Sequence, residues 1–205
     1  MRRDATYGEL VKRAAALAVP GERRLLGICG SPGSGKSTLA ARLVADLGDR
    51  AALVAMDGFH LAQRELDRLG RADRKGAPDT FDADGYADLL RKLRTTRDRT
   101  VYAPEFRREI EEPIANAVPV SCDVALVVTE GNYLLLWPDV RALLDEVWYL
   151  DPGDELRRKR LLDRHLAYGK SPEQAYDRTY GSDERNATLV AATGRMADLV
   201  LRKIE

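Results

Sequence analysis

The run Gly30-Ser31-Pro32-Gly33-Ser34-Gly35-Lys36-Ser37 lies between a short apolar segment, Arg24 to Cys29, and a helix-forming segment, Lys36 to Leu47. It meets every fixed position of the pattern G-x-x-x-x-G-K-[ST]. The glycines at 30, 33 and 35 leave room for a backbone whose successive N–H groups face inward as an anion nest. The N-terminus of the following helix reinforces that nest. Lys36 can reach the β- and γ-phosphates of a nucleotide such as ATP, and the Ser37 hydroxyl can ligate Mg²⁺. Ser31, Ser34 and Thr38 belong to the same nucleotide-contacting turn. The competing reading is a chance match in a glycine-rich turn. An apolar strand running in and a helix running out argue against it.

On either side of this turn, apolar runs alternate with helical patterns. Residues 5–18 place Leu10, Val11, Ala14, Leu17 and Ala18 at helical spacing, closed by Pro20 and Gly21. Leu39, Leu43 and Leu47 share one face of the helix after the glycine turn. Strands are predicted at Arg24–Cys29, Ala51–Met56, Val124–Thr129, Val147–Leu150 and Leu199–Leu201, and helices at 85–94, 154–167, 172–180 and 184–192. This order predicts the α/β class: a P-loop NTPase three-layer sandwich with a five-stranded parallel sheet and helices on both faces. Residues 1–205 read as one such domain. The polar stretch 61–119 reads as an insertion on the acceptor side, and 153–172 as a lid region.

In open α/β sheets, ligands collect at the carboxyl ends of the strands. Asp57 ends the second predicted strand and Glu130 the third, each followed by glycine. A carboxylate there can accept a proton from an attacking hydroxyl or hold Mg²⁺. Asp57 is assigned as general base and Glu130 to the metal or its water; each can also be a plain turn cap. Asp151 precedes Pro152 and reads as a helix cap. His60 is either structural or orients the acceptor. Arg157, Arg158, Lys159, Arg160 and Arg164 crowd one helix, followed by Lys170. Arg160 and Arg164, four apart, share a face and could neutralise charge on a transferring phosphoryl group. An ordinary solvated helix paired with Asp154, Glu155 and Asp163 is the plainer reading.

Thirty-three basic and thirty-three acidic residues cancel, so no global field marks a nucleic-acid or anionic-membrane binder. Cys29 and Cys122 sit in or beside apolar runs and read as core thiols. The charged first residues and the absence of a span of roughly 20 apolar residues predict a cytoplasmic protein. The expected partner is a small-molecule acceptor, with no nucleic acid and no membrane; a homodimer stays open.

Five motifs occur in order: Gly30–Ser37; Met56-Asp57-Gly58-Phe59-His60; Lys75-Gly76-Ala77-Pro78-Asp79-Thr80-Phe81-Asp82; Tyr102-Ala103-Pro104-Glu105-Phe106; and Thr129-Glu130-Gly131-Asn132-Tyr133. Together they resemble the uridine kinase, bacterial pantothenate kinase and phosphoribulokinase superfamily over roughly 24–202. Within it the chain is most similar to bacterial uridine-kinase-like proteins described as nucleoside or fructose-transport-system kinases. The resemblance implies ATP on the glycine loop and an acceptor hydroxyl beside Asp57. It implies an acceptor pocket that includes Asp79 and Lys75, with Phe106, Arg107, Glu130 and Tyr133 alongside. It also places Arg195, in Thr193–Asp198, against adenine, a position where a plain surface arginine is the other reading. Uridine kinases carry a Tyr-Asp-Phe run followed by a histidine; Phe106-Arg107-Arg108-Glu109-Ile110-Glu111 has no histidine, and the arginines there suit an acidic or phosphorylated acceptor. The alternative function is a regulatory NTPase. The guanine-reading Asn-Lys-x-Asp run and the transporter run Leu-Ser-Gly-Gly-Gln are both absent.

Overall fold

The computed structural model describes residues 2–205. The element order is β1 (Arg2–Ala5), α1 (Tyr7–Leu17), β2 (Arg24–Gly30), α2 (Lys36–Leu47), β3 (Ala51–Ala55), α3 (Gln63–Arg68), α4 (Ala83–Thr95), β4 (Val101–Arg107), β5 (Glu112–Val120), β6 (Leu126–Gly131), α5 (Pro138–Arg141), β7 (Glu146–Leu150), α6 (Asp154–Ala167), α7 (Pro172–Tyr180), α8 (Ser182–Ala191) and β8 (Leu199–Ile204). The main sheet runs β1-β8-β7-β2-β6-β3, and every pairing in it is parallel. It has six strands where five were expected. The sixth is β1, a four-residue edge strand of Arg-Arg-Asp-Ala, whose charge hides it from any hydrophobic pattern.

Alternation along the strands sorts side chains into two cores, one on each face. Leu25, Cys29, Val54, Val127 and Val147 point to one side, where they meet Tyr86, Leu90 and Leu93 of α4 and Val140 of α5. Leu26, Ile28, Leu126, Val128 and Trp148 point to the other, against Leu10 and Ala14 of α1 and Leu39 and Leu43 of α2. Burial on both faces explains why the strands read as unbroken apolar runs. Thr6 starts α1 through a reciprocal capping box with Glu9, at Thr6 N to Glu9 Oε2 2.8 Å and Glu9 N to Thr6 Oγ1 3.2 Å.

The 61–119 stretch contains a second sheet, the antiparallel hairpin β4–β5. Pro104, Pro113 and Pro119 interrupt its pattern, which such two-stranded edges tolerate. Cys29 is buried in β2, and burial pushes its thiol up to about 12, so it is inert filler. Cys122 departs from the expectation of a core thiol: it is half-buried in the turn after β5. Asp151 does not cap α6; the N-cap is Gly153, with no side-chain bond.

Buried Arg23 ties the far end of the sheet together. Its guanidinium donates to the carbonyls of Val124 at 2.9 Å, Leu93 at 3.0 Å and Cys122 at 3.1 Å, among others. These bonds join the start of β2 to the end of α4 and the turn before β6.

Candidate active site

The glycine turn leads from β2 into α2, which begins at Lys36. Gly33 has φ 81°, and a Cβ there would stand 2.5 Å from the Arg157 carbonyl oxygen. Only glycine satisfies both that backbone angle and the close approach of α6. Ser34 Oγ is buried with no hydrogen-bond partner, one of few such atoms among the described residues. An orphaned hydroxyl inside the turn suits a phosphate oxygen. Ser31 lies buried beside it, its Oγ 3.4 Å from the Tyr149 hydroxyl.

One position past Lys36, Ser37 Oγ donates to Glu130 Oε1 at 2.9 Å. Glu130 is buried at the carboxyl end of β6, and burial raises its pKa; Lys36 opposes that rise. Lys36 in turn is pressed below the ordinary lysine value by desolvation, while Glu130 and Asp57 pull it back up. A lysine and a carboxylate that perturb each other at a strand end make this the candidate functional site. The oxygen pair Ser37–Glu130 fits Mg²⁺, which takes few protein ligands and fills its shell with water and phosphate oxygens. Among the described residues no three His, Cys, Asp or Glu groups form a metal cluster.

Asp57 sits in a 3₁₀ turn, Met56–Phe59, directly after β3. The hairpin packs hard onto that turn: a Cβ at Gly58 would be 2.7 Å from the Pro104 carbonyl oxygen. This contact brings the end of the hairpin over the site, where Arg108 Nη2 donates to Asp57 Oδ2 at 3.0 Å. His60 Nδ1–H donates to the Asp57 carbonyl at 2.8 Å, and burial lowers its pKa, favouring the neutral ring. That ring lies 4.0 Å from Phe81 and 4.6 Å from Phe106, forming an aromatic wall beside Asp57.

Among the remaining expected acceptor residues, Lys75, Asp79 and Tyr133 have partners of their own. Lys75 Nζ donates to Gln63 Oε1 at 3.2 Å and lies 5.6 Å from the Phe106 ring. Asp79 is exposed and bridged by Arg74 at 2.7 Å and Arg71 at 3.4 Å. Tyr133 is buried, with its hydroxyl donating to the Gly76 carbonyl at 2.6 Å. Arg107 ends β4 and is exposed. Arg195 is exposed on the 3₁₀ turn before β8.

Helix α6 rests directly on the glycine turn. Arg160 Nη1 donates to the Ser34 carbonyl at 3.1 Å. Arg164 lies one turn further on, partly buried, with Asp183, Arg108 and Asp57 as its electrostatic neighbours; desolvation lowers its pKa. Three cations, Lys36, Arg108 and Arg164, therefore converge on Asp57 and Glu130. Arg157, buried at the foot of α6, is held by Glu184 at 2.6 Å and Asp154 at 3.1 Å. Lys170 is half-buried beyond the end of α6. Sequence reasoning left Arg157 in the charged crowd, since only the fold reveals which arginine of a run is buried.

Two cavities flank the turn. One, of about 430 Å³, opens beside Ser34, Gly35 and Thr38 and extends between α2, α6 and β8. The other, of about 390 Å³, opens beside Ser31, between β7 and α8, with Asp151, Asp154 and Glu184 at its walls. Arg195 is not among the lining residues of either.

The sequence profile of the Phosphoribulokinase / Uridine kinase family matches residues 25–205. A fission-yeast protein (Schizosaccharomyces pombe) named "Putative uridine kinase C227.14" is 36% identical over 215 residues, covering 98% of this chain and 92% of the relative. The crystal structure titled "putative fructose transport system kinase", from Silicibacter sp. TM1040, superposes with TM-score 0.85 at 35% identity, covering 95% of this chain and 98% of that one. YFH7 from Saccharomyces cerevisiae, described as "a putative P-loop containing kinase with a circular permutation", superposes with TM-score 0.80 over 97% of this chain and 99% of its own. At 18% identity that likeness concerns the fold.

Proposed function

Because the chain belongs to the Phosphoribulokinase / Uridine kinase family, we propose that it transfers the terminal phosphoryl group of ATP, in the presence of Mg²⁺, to a hydroxyl of a small metabolite. The observation that carries this reading is the bond from Ser37 Oγ to Glu130 Oε1 at 2.9 Å, with Lys36 and Asp57 in electrostatic reach of Glu130. Inward-facing amides of residues 30–37 grip the phosphates, and Lys36 covers the charge at their outer end. Ser37 and Glu130 would hold Mg²⁺, which would neutralise charge on the phosphate oxygens. Asp57 aligns the acceptor hydroxyl and receives its proton as the oxygen bonds to phosphorus. The bond between that phosphorus and the bridging oxygen breaks, and ADP departs with the electron pair. Arg164 offsets charge on the group in flight.

The acceptor on this reading is a nucleoside, a sugar or a pantothenate-like acid. Lys75 and Arg108 flank the Phe106 ring, at 5.6 Å and 5.9 Å, beside the His60 and Phe81 rings. Two cations beside an aromatic wall favour an acceptor that carries a carboxylate or phosphate. The test is a panel of nucleosides, sugars, glycerate and pantothenate with ATP and Mg²⁺, scored by ADP production. One acceptor is expected to raise ADP release at least about tenfold over the basal rate, and Lys36→Ala to abolish the increase. ADP release indifferent to every acceptor would favour a regulatory NTPase instead.

A further inference from the structure

The cavity beside Ser34, Gly35 and Thr38 has a wall from an unexpected source. Tyr7, the first residue of α1, lines it. The β1–α1 unit lies outside the 25–205 span matched by the family profile. It is fixed in place by β1 pairing with β8 and by Tyr7 N donating to the Glu205 carbonyl at 2.8 Å. Tyr7 is also locked sideways. Its hydroxyl donates to Asp46 Oδ2 at 2.8 Å, and the Arg42 guanidinium lies 3.9 Å from its ring centroid. Arg42 lines the same cavity.

We propose that β1–α1 completes the subsite for the nucleoside half of the phosphoryl donor, with the stacked Tyr7–Arg42 pair as the wall against which the base lies. The inference rests on the kinase reading above and adds to it the residues that receive base and ribose. Three observations support it. Ser37 faces Glu130, so the transferring end of the donor lies there. Thr38, the next residue on α2 and rotated about 100° from it, opens onto this cavity. The donor's other end therefore leaves the phosphate cradle on the cavity's side.

The lining also suits a nucleoside phosphate. Leu39, Leu156 and Leu201 give an apolar interior, while Arg160 and Arg202 supply positive charge. The volume of about 430 Å³ falls within the range usual for small-ligand sites. The second cavity is the poorer candidate, since its lining arginine, Arg157, is already held by Asp154 and Glu184 and Asp151 adds a further negative charge.

The test compares ATP with inorganic tripolyphosphate, which occupies the cradle and has no nucleoside. Dissociation constants for both are measured, with Mg²⁺, on the unsubstituted 205-residue chain and on Tyr7→Ala, Tyr7→Leu and Tyr7→Phe. Tyr7→Ala and Tyr7→Leu are expected to weaken ATP about tenfold, the scale of one base–aromatic stack, and to leave tripolyphosphate unchanged. Tyr7→Phe keeps the ring and is expected to stay within about threefold of wild type for ATP. Leucine preserves bulk on α1, so it reads binding where alanine loosens the helix. Unchanged ATP affinity in Tyr7→Leu overturns the proposal, and so does an equal loss of both ligands, which would mark a purely structural role. Failure of the wild type to bind either ligand would instead bring down the kinase reading, and this inference with it.

Discussion

Asp57→Asn keeps the shape of the side chain and removes its capacity to take a proton, so turnover is expected to fall about 10²-fold or more while ATP still binds. Steady-state kinetics beside an ATP-binding titration separate the two effects, and near-normal turnover would reduce Asp57 to a turn residue. Lys36→Ala should lose transfer altogether, because Lys36 is the cation that the glycine turn aims at the outer phosphates. At this scale the sequence was informative wherever chemistry and position coincided. Lys36 and Ser37 are set by a fixed spacing, and Asp57 and Glu130 stand where apolar strands stop. Arg108 and Tyr7 were harder to see. One reaches Asp57 from 51 residues away and the other meets Asp46 from 39, so only folding brings them to the site.

The join between α6 and α8 carries a prediction of its own. Glu184 of α8 holds both Arg157 and Arg158 at 2.6 Å, and these bonds depress its carboxyl to about 2. Arg157 is 2% exposed, so removing Glu184 leaves its charge beneath the glycine turn with only the exposed Asp154 as partner. Glu184→Gln is expected to cost about 2 kcal/mol at neutral pH, less than a fully buried pair because Glu184 keeps some contact with water. A depressed carboxyl contributes fully above its unfolded value of 4.5, and the contribution is lost as pH falls toward 2. Wild type and variant should therefore differ in urea midpoint at pH 7 and converge between about pH 4 and 2. A gap that persists at pH 2 would rule out the ion pair as its cause. Elements with strong periodicity, such as α6 and α7, fall at their expected limits. The hairpin and β1 do not, since prolines mask the one and charge the other.

Over the whole molecule, β1 and α1 close one edge of the sheet and cover part of its apolar face. Leu10 and Ala14 are fully buried against α2 and the strands. Removing residues 1–18 uncovers that face and the edge of β8. The expected loss is about 3 kcal/mol, the scale of one or two buried aliphatic side chains, or roughly 6–12 °C in melting temperature for a chain of this size. Scanning calorimetry measures that loss, and light scattering should show association through the bared edge. An unchanged melting temperature would mean that the unit is only loosely attached.

The bond from Arg108 to Asp57 also bears on economy. While it holds, the group that would activate an incoming hydroxyl is occupied, and a stray water in the same place finds no ready base. On the proposed reading, such a kinase would waste little nucleotide while idling, because an acceptor able to draw the arginine to itself would be what frees the carboxylate. Arg108→Ala is expected to leak, hydrolysing ATP several times faster than wild type with no acceptor present. A phosphate-release assay without acceptor reads this directly, and a basal rate that stays flat would deny the arginine its part as a safeguard.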